Sequence, residues 1–284
     1  MRIFSIIVCF NPDIESLKKL VESILDQSSE VVIVDNSSSK KLIDLGNCKI
    51  ISLNSNKGIS YAQNRGIEYA KKKSSDIFVF FDQDSEINKN FFKSLMKKMD
   101  LDIMSVFSPL VIDKKTDKIL PSVNLNRFGI TSKVFYNRSS SFNRVDLIIS
   151  SGSAINRKAL DCVGLMDENL FIDFVDTDFC FRCIKKNIPI YIMPEAILKH
   201  SIGQSKYTFF NLTFFKHDNE RIYYQVRNCI YFFKKKYVPK LFVLKEFFSI
   251  LFHSFFLIFL SNDKMGFLRN FFLGFKDGLV FIIK

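Results

Sequence analysis

The sequence lacks the paired cysteines that mark a zinc site or a disulfide framework. Six cysteines are scattered along the 284 residues, and only Cys180 and Cys183 have the spacing of metal ligands. Because no second pair completes a zinc site, we interpret these two as buried thiols one helical turn apart. This use of cysteine fits a reducing, cytosolic compartment.

The sequence also lacks an internal repeat and the composition of a disordered chain, and we do not expect its N-terminus to be a secretory leader. The apolar run after Met1 is short and no small-residue cleavage site follows it, so we expect a strand there. Hydrophobic residues make up 48% of the chain and charged residues 25%, which is enough apolar surface for a substantial core. We expect one large domain over residues 1–237 and an appendage over 238–284.

Acidic residues are scarce in the C-terminal part, where phenylalanine is abundant. Residues 206–284 hold 13 Lys and Arg against 5 Asp and Glu, together with 18 of the 33 Phe. Anionic lipid attracts Lys and Arg while Phe enters the acyl boundary, so we predict a membrane surface as a partner. Nucleic acid is not expected, because the Phe residues form apolar runs and do not alternate singly with Arg.

The N-terminal hundred residues alternate short apolar runs with amphipathic stretches. The pattern predicts strands over 3–10, 30–37, 49–54 and 76–85 and helices over 13–27 and 58–73. Such alternation with continuously apolar strands predicts an α/β fold, a mostly parallel sheet covered by helices. Ligands of such sheets bind beyond the carboxyl ends of the strands, where this chain carries Asn11, Asp35, Asn36, Asp82 and Asp84.

The second half of the chain is less regular. Residues 101–155 read as further strands with loops, and the polar stretch 113–144 as a loop or hairpin. A helix over 174–187, a strand over 188–194 and a helix over 218–237 are expected next. Helices rich in Phe follow from residue 238.

Asp82 and Asp84 end a strand with one residue between them, so their side chains point the same way on an extended backbone. Two converging carboxylates repel each other unless a cation lies between them. Mg²⁺ or Mn²⁺ suits such a pair, because these ions prefer few protein oxygens together with phosphate oxygens. The alternative is a pair of solvated loop acids.

Two other strand ends carry candidate ligand-binding residues. Asp35 is placed to accept a hydrogen bond from the imide N–H of a uracil or thymine ring, although Asp also favours turns and helix N-caps. Asn56 and Gly58 open a predicted helix, and helix N-termini bind phosphate. A plain capped helix is the alternative there.

Three acids, Asp173, Asp176 and Asp178, lie among Phe and Val residues. Buried acids are costly unless they are paired or functional, and a raised pKa suits a general base. An acidic first helical turn with Arg182 as ion-pair partner is the alternative. His200 closes another predicted strand, "AILKH" (196–200), where its imidazole is a candidate metal ligand or a structural residue.

Eight segments in this order resemble a glycosyltransferase of family 2, which has the GT-A fold. The resemblance covers residues 1–237 and rests on "SIIVCFNP", "VIVDNSS", "NKGISYAQNRG", "FFDQDS", "SGSAINRKALDCVGLMDENLF", "FIDFVDTDFCFR", "KHSIG" and "RIYYQVRN". It implies a GT-A nucleotide-binding sheet, a nucleotide-sugar donor and Mg²⁺ or Mn²⁺ as cofactor.

The resemblance also implies a role for single residues. Asp35 would contact the nucleobase, with Phe10 and Asn11 lining its pocket. The donor diphosphate would be bracketed through the metal ion by the carboxylates of the "DQD" motif, the second of them as the more direct ligand, and the histidine of "KHSIG" would complete the site. These metal-site residues are Asp82, Asp84 and His200.

The catalytic base implied by the resemblance is Asp176, which would deprotonate the acceptor hydroxyl. Many relatives carry a Glu-Asp pair there, whereas Val175 replaces the Glu in this chain, so Asp178 stays open as the base. One displacement at the anomeric carbon would invert its configuration without a covalent intermediate.

Among family members, the motifs are most similar to bacterial rhamnosyltransferases, which use dTDP-L-rhamnose. UDP-sugars, including UDP-galactofuranose, are the alternative donors. Processive polysaccharide synthases carry a Gln-x-x-Arg-Trp motif, and this chain has no Trp. The resemblance implies transfer to a lipid-linked glycan, as on undecaprenyl diphosphate, in O-antigen or capsule synthesis.

The segments 241–260 and 265–284 are predicted to be helices that associate with a membrane. The first has nearly the length of a span but includes Lys245, Glu246 and His253, and charges near a bilayer centre are costly. We therefore favour helices that lie in the inner leaflet at the cytoplasmic face of the bacterial membrane. Packing on the catalytic domain or on a second copy, as in a homodimer, is the alternative.

Two other functions are compatible with parts of the pattern. A nucleotidyltransferase also uses paired acids on an α/β sheet, but "CFNPDIESLKK" lacks the expected Gly-rich, basic loop after the first strand. A non-catalytic membrane-bound scaffold of the same fold would not need Asp35, Asp82, Asp84 and Asp176 together. A metal-dependent, inverting glycosyltransferase is therefore the leading hypothesis.

Overall fold

The structure is a computed structural model that describes residues 1–27, 30–38, 45–138, 140–201, 205–209, 212–216, 219–261 and 263–283. Its helices are α1 (Ile14–Leu25), α2 (Ile59–Lys72), α3 (Phe91–Leu95), α4 (Arg157–Val163), α5 (Val175–Lys185), α6 (Asn219–Phe232), α7 (Lys240–Leu260) and α8 (Lys264–Ile283). Its strands are β1 (Ile3–Cys9), β2 (Glu30–Asp35), β3 (Lys49–Ser52), β4 (Ile77–Asp82), β5 (Glu86–Ile87), β6 (Val106–Asp113), β7 (Ser122–Leu125), β8 (Thr131–Val134), β9 (Asn143–Val145), β10 (Ala154–Asn156), β11 (Ile190–His200), β12 (Ser205–Phe209) and β13 (Leu212–Lys216).

A nine-stranded sheet in the described chain carries the candidate site. Its order is β3-β2-β1-β4-β10-β6-β11-β5, with β9 also beside β11. The pairs β2–β3, β1–β2, β1–β4 and β6–β11 are parallel, whereas β5, β9 and β10 run antiparallel to their neighbours. The predicted α/β fold with a mostly parallel sheet is confirmed.

The core forms where the apolar patterns predict it. Residues 77–81 of β4 are almost fully buried, as expected for a central strand covered on both faces. On α1, which matches the predicted helix over 13–27, one apolar face is buried through Leu17, Leu20, Val21 and Ile24. Asp13 begins this helix, because its carboxylate accepts a hydrogen bond from the N–H of Ser16 at 2.9 Å.

Strands were predicted over 188–194 and over 196–200, whereas the structure joins both into one strand. Strand β11 continues to His200, with a shift of register between Met193 and Ile197. Proline cannot donate to a strand ladder, so a bulge accommodates it and pairing resumes after it. This continuation is what delivers His200 to the end of the sheet.

Other differences concern short elements. Helices α3 and α4 and strands β5 and β9 were not predicted individually. In the stretch 113–144, where a loop or hairpin was predicted, β7 and β8 form a two-stranded sheet. Residues 202–203 of the "KHSIG" segment and residue 218, where a helix was expected to begin, lie outside the described residues.

The described chain divides into two compact units. One comprises residues 1–124, 133–171 and 175–201 and contains the sheet; the other comprises 125–132, 172–174 and 202–284. The division into a catalytic part, 1–237, and an appendage, 238–284, stays a prediction.

Within the second unit, α6 holds the segment 172–174. Asp173 and Phe174 both have left-handed backbones, with φ of 61° and 63°. The buried amide of Asn228 donates to the carbonyls of Ile172 at 2.7 Å and Asp173 at 3.2 Å, and Arg221 pairs with the Asp173 carboxylate at 2.7 Å. These bonds offset the cost of two consecutive strained residues.

The predicted C-terminal helices are present as α7 and α8. Gly274 and Gly278 allow α8 to pack closely on α6, since a Cβ atom at Gly278 would lie 2.8 Å from Ile230 Cβ. Of the described helices, one segment, Lys240–Phe259, is long and apolar enough to cross a membrane. Length and composition alone are weak evidence for a span.

Candidate active site

The carboxyl ends of β1, β2 and β4 lie side by side at one edge of the sheet. Cys9 of β1 pairs with Asp35 of β2, and Val8 of β1 pairs with Asp82 of β4. Asn11 follows in a left-handed turn, with φ of 46°. The predicted ligand-binding residues of three strands therefore meet at this edge, as parallel pairing requires.

Asp82, Asp84 and His200 come together as predicted. Strand β5 follows Asp84 and pairs with β11, so that Lys199 lies opposite Glu86 and His200 reaches the acidic turn. The His200 Nδ1 atom lies 3.1 Å from Asp84 Oδ1, and its Nε2 atom lies 3.5 Å from Asp82 Oδ2.

The three side chains shift one another's protonation. Loss of hydration in the cleft raises the pKa of Asp82, and the nearby Asp84 charge adds to this. Loss of hydration also acts to raise the pKa of Asp84, but the hydrogen bond and charge of His200 and the charge of Lys114 outweigh it and lower the pKa. For His200, desolvation is outweighed by Asp84 and Asp82, so its pKa is raised.

This electrostatic setting fits a bound cation. The field that stabilises an imidazolium between two carboxylates also favours a divalent ion, and two carboxylates with an imidazole are suitable donors for Mn²⁺. However, no group of three or more His, Cys, Asp or Glu side chains in the described chain is already arranged to hold a metal ion. The predicted ligands are therefore adjacent but not preassembled around one point.

Asp35, Asn11 and Phe10 are also brought together. The buried Asp35 carboxylate accepts a hydrogen bond from the N–H of Ser37 at 3.0 Å, and the Ser37 hydroxyl accepts one from the N–H of Asn11 at 2.8 Å. The N–H of Phe10 donates to Gln83 Oε1 at 2.7 Å. Gln83, the middle residue of the Asp82–Asp84 turn, thus links that turn to the Phe10–Asn11 turn.

Asn56 and Gly58 lie at the start of α2, where a phosphate-binding role was predicted. The Asn56 side-chain oxygen accepts from the N–H of Gly58 at 3.1 Å, and the N–H of Ile59 donates to the carbonyl of Phe171 at 2.8 Å. Two N–H groups of this helix start are therefore engaged internally. Gly58 has φ of 87°, and a Cβ atom there would lie 2.6 Å from the Phe171 oxygen, so glycine is needed at this position.

Asn36, which the sequence indicated as a candidate ligand-binding residue at a strand end, makes structural hydrogen bonds in the same region. Its side-chain amide donates to Asn56 Oδ1 at 2.9 Å, and its oxygen accepts from the N–H of Lys57 at 2.7 Å. Asn36 is buried and so fixes the start of α2 against the end of β2.

The three acids near α5 have different surroundings. Asp178 is fully buried and pairs with Arg182 at 2.8 Å, and Arg182 also donates to the carbonyl of Val163 at 2.9 Å. Asp173 is paired with Arg221 within the second unit. The alternative interpretation, an ion-paired structural acid, therefore applies to Asp178 and Asp173.

Asp176 lies in the first turn of α5 and lines a small cavity of about 10 Å³. The other polar side chains of this lining are Ser150 and Ser153, and the rest of the wall is formed largely by apolar residues such as Phe80, Ile148 and Met166. An acid beside an apolar wall is in the kind of surroundings that a general base requires.

One short segment, residues 150–153, borders both this cavity and the acidic turn. The Ser151 hydroxyl accepts from the N–H of Asp82 at 3.3 Å and lies 3.0 Å from the Ser85 hydroxyl. Ser150 and Ser153 face the cavity of Asp176. The role of Ser151 was not predicted, because a serine in "SSGS" carries no signal of its tertiary contacts.

Comparisons with known proteins identify the family of this chain. The family model described as glycosyl transferase family 2 matches residues 5–164. The chain is 32% identical over 282 residues to a dTDP-rhamnosyl transferase, RfbF, of Shigella flexneri, with 98% of this chain and 95% of that protein covered.

Solved structures share the fold at low identity. A GalNAc-T7 structure with UDP, GalNAc and Mn²⁺ has a TM-score of 0.57 at 17% identity, covering 74% of this chain and 44% of that one. Residues 1–349 of Staphylococcus aureus TarS with UDP-GlcNAc give 0.56 at 15% identity, covering 99% and 82%. The chain thus spans less than half of the GalNAc-T7 chain, and these likenesses show the fold alone.

Proposed function

Because the chain belongs to glycosyl transferase family 2, we propose that this glycosyltransferase moves L-rhamnose from dTDP-L-rhamnose to a glycan acceptor. The observation that carries the rhamnosyl proposal is the 32% identity to a dTDP-rhamnosyl transferase across nearly the whole of both chains. The rhamnosyltransferase resemblance inferred from the motifs is confirmed by the same finding.

The nucleotide half of the donor is assigned to the ends of β1 and β2. Asp35 contacts the thymine ring, and Phe10 and Asn11 border it. The exposed ring of Phe10, 46% accessible, supports a stacking role. Asn56 and Gly58 shape the adjacent helix start, where their internal hydrogen bonds favour a supporting role over direct phosphate binding.

The diphosphate is assigned to the turn of Asp82 and Asp84 with His200. These residues would hold Mg²⁺ or Mn²⁺, which when bound offsets the negative charge that grows on the departing nucleotide. The proximity of both carboxylates to the His200 ring supports this assignment.

Asp176 is assigned the role of general base. It accepts the proton of the acceptor hydroxyl as that oxygen attacks the anomeric carbon from the face opposite the nucleotide, which inverts the anomeric configuration. The burial of Asp178 and its ion pair with Arg182 support Asp176 over Asp178, since a fully buried, ion-paired carboxylate is not exposed to an acceptor hydroxyl.

The acceptor is proposed to be a lipid-linked glycan at the cytoplasmic face of a bacterial membrane, in surface polysaccharide synthesis. Outward-facing Phe residues on the C-terminal helices support a membrane partner, with Phe248, Phe255, Phe259 and Phe272 each more than 60% exposed. We infer that these helices lie in the interface with their Phe side chains in the acyl boundary.

Sugar transfer from a panel of donors tests the proposal. The purified chain is incubated with Mn²⁺, an acceptor lipid extract and dTDP-L-rhamnose, UDP-galactofuranose or UDP-hexoses. Transfer from dTDP-L-rhamnose alone is expected, with release of dTDP. Transfer from a UDP-sugar would show that dTDP-L-rhamnose is not the donor. If nucleotide binds but no sugar is transferred from any donor, the result would favour a non-catalytic scaffold.

A further inference from the structure

Lys114 is held between the two segments that carry the proposed metal ligands. It directly follows β6, and its backbone N–H donates to the carbonyl of His200 at 3.1 Å. Its ammonium group donates to the carbonyl of Asp84 and lies 3.0 Å from Oε1 of Glu86. A single residue therefore contacts the backbone at both Asp84 and His200.

The turn that presents Lys114 is closed by its own hydrogen bonds. The buried Asp113 carboxylate accepts from the Thr116 hydroxyl at 2.6 Å and from the N–H of Lys115 at 3.3 Å. The N–H of Asp113 donates to the carbonyl of Lys118 at 2.9 Å. The backbone of Lys114 is thus fixed independently of its ammonium group.

The Lys114 side chain is withdrawn from water in comparison with ion-paired lysines elsewhere in the chain. It is 19% exposed, whereas Lys97 is 54% and Lys158 is 53% exposed. Lysine normally keeps its ammonium group in water while its stem covers apolar surface. Holding this group against the Asp84 carbonyl costs hydration and side-chain entropy, which indicates a specific contact.

We propose that Lys114 is a positioning residue that fixes the Asp84 peptide and so aims the Asp84 carboxylate at the donor diphosphate. This inference rests on the proposed function, because it takes Asp84 as a metal ligand. Groups that orient metal ligands from outside commonly change metal affinity about 10- to 100-fold when they are removed. Lys114 acts through Asp84 and is not assigned a contact with substrate.

Loss of Lys114 has two opposite effects on the affinity of the proposed site for a cation. Removing a positive charge strengthens Mn²⁺ binding, whereas loss of the contact that fixes the Asp84 turn weakens it. The effect of the lost charge is the smaller one, because the Glu86 carboxylate, 3.0 Å from the ammonium group, already offsets it. The direction of the change in Mn²⁺ affinity therefore separates a positioning role from simple repulsion.

Calorimetric titration of Mn²⁺ into the full chain with dTDP tests this role. Lys114→Met is expected to weaken Mn²⁺ binding about tenfold, while dTDP binding without metal stays unchanged. Lys118→Met removes the same charge from an exposed position in the same turn and should bind Mn²⁺ like the unaltered protein. Lys114→Arg keeps a donor and should retain most of the affinity.

Unchanged or tighter Mn²⁺ binding by Lys114→Met, relative to Lys118→Met, would overturn the inference. Asp84→Ala separates this failure from failure of the proposed function. If Asp84→Ala binds Mn²⁺ normally, the proposed metal site is wrong; if only Asp84→Ala loses binding, Lys114 alone has been misassigned. Lys114→Ala gives the same comparison should methionine not be tolerated.

Discussion

At the scale of single residues, the structure distinguishes acids that look alike in the sequence. Asp176 and Asp178 are two residues apart in one helix, yet Asp178 is fully buried against Arg182 whereas Asp176 faces a small cavity. Removing one partner of a buried ion pair typically costs about 3–5 kcal/mol, since the remaining charge is left uncompensated. A general base affects the rate of the reaction and not primarily the stability of the fold, and it typically accelerates turnover about 10²- to 10⁴-fold.

The two asparagine variants should therefore behave differently. Asp176→Asn is expected to lower kcat by about 100-fold or more, while dTDP binding stays unchanged. Asp178→Asn should lower the free energy of unfolding by several kcal/mol, about 3–5, because Arg182 loses its carboxylate. Urea unfolding and single-turnover sugar transfer measure the two effects. Loss of turnover in a stably folded Asp178→Asn alone would identify Asp178 as the base.

At the scale of elements, α7 is a long helix that exposes many apolar side chains. Among them, Phe255 is 61% exposed and Phe259 is 64% exposed. Each Phe that moves from water into an apolar phase gains about 1.5–3 kcal/mol when fully buried. An interfacial helix would use these residues, together with the basic residues of the C-terminal part, to bind anionic lipid.

Vesicle binding should therefore depend on these two side chains. Replacing Phe255 and Phe259 together by Ser is expected to weaken binding to anionic vesicles at least about tenfold, from partial burial of two rings. Phe135→Ser, which alters an exposed Phe outside the helix, serves as the control. Co-sedimentation at several salt concentrations measures the binding. Equal binding by the double variant and the control would exclude α7 as a membrane contact.

At the scale of the whole molecule, the sequence was sufficient to predict the central strands of the sheet and the acidic residues at their carboxyl ends. Apolar runs located β1, β2, β3 and β4, because such runs are buried wherever the sheet places them. The course of β11 past Pro194 was not predictable, since a bulge depends on the neighbouring strand. Contacts of Ser151, Asn36 and Lys114 depend likewise on residues distant in the chain.

The central claim is that the turn of Asp82 and Asp84 holds the cation that binds the donor diphosphate. The most direct measurement is the anomalous diffraction of a crystal that contains dTDP and Mn²⁺. We predict a manganese peak at the site formed by Asp82, Asp84 and His200, beside the diphosphate of dTDP. A manganese ion bound to dTDP but remote from residues 82–84 would contradict the account.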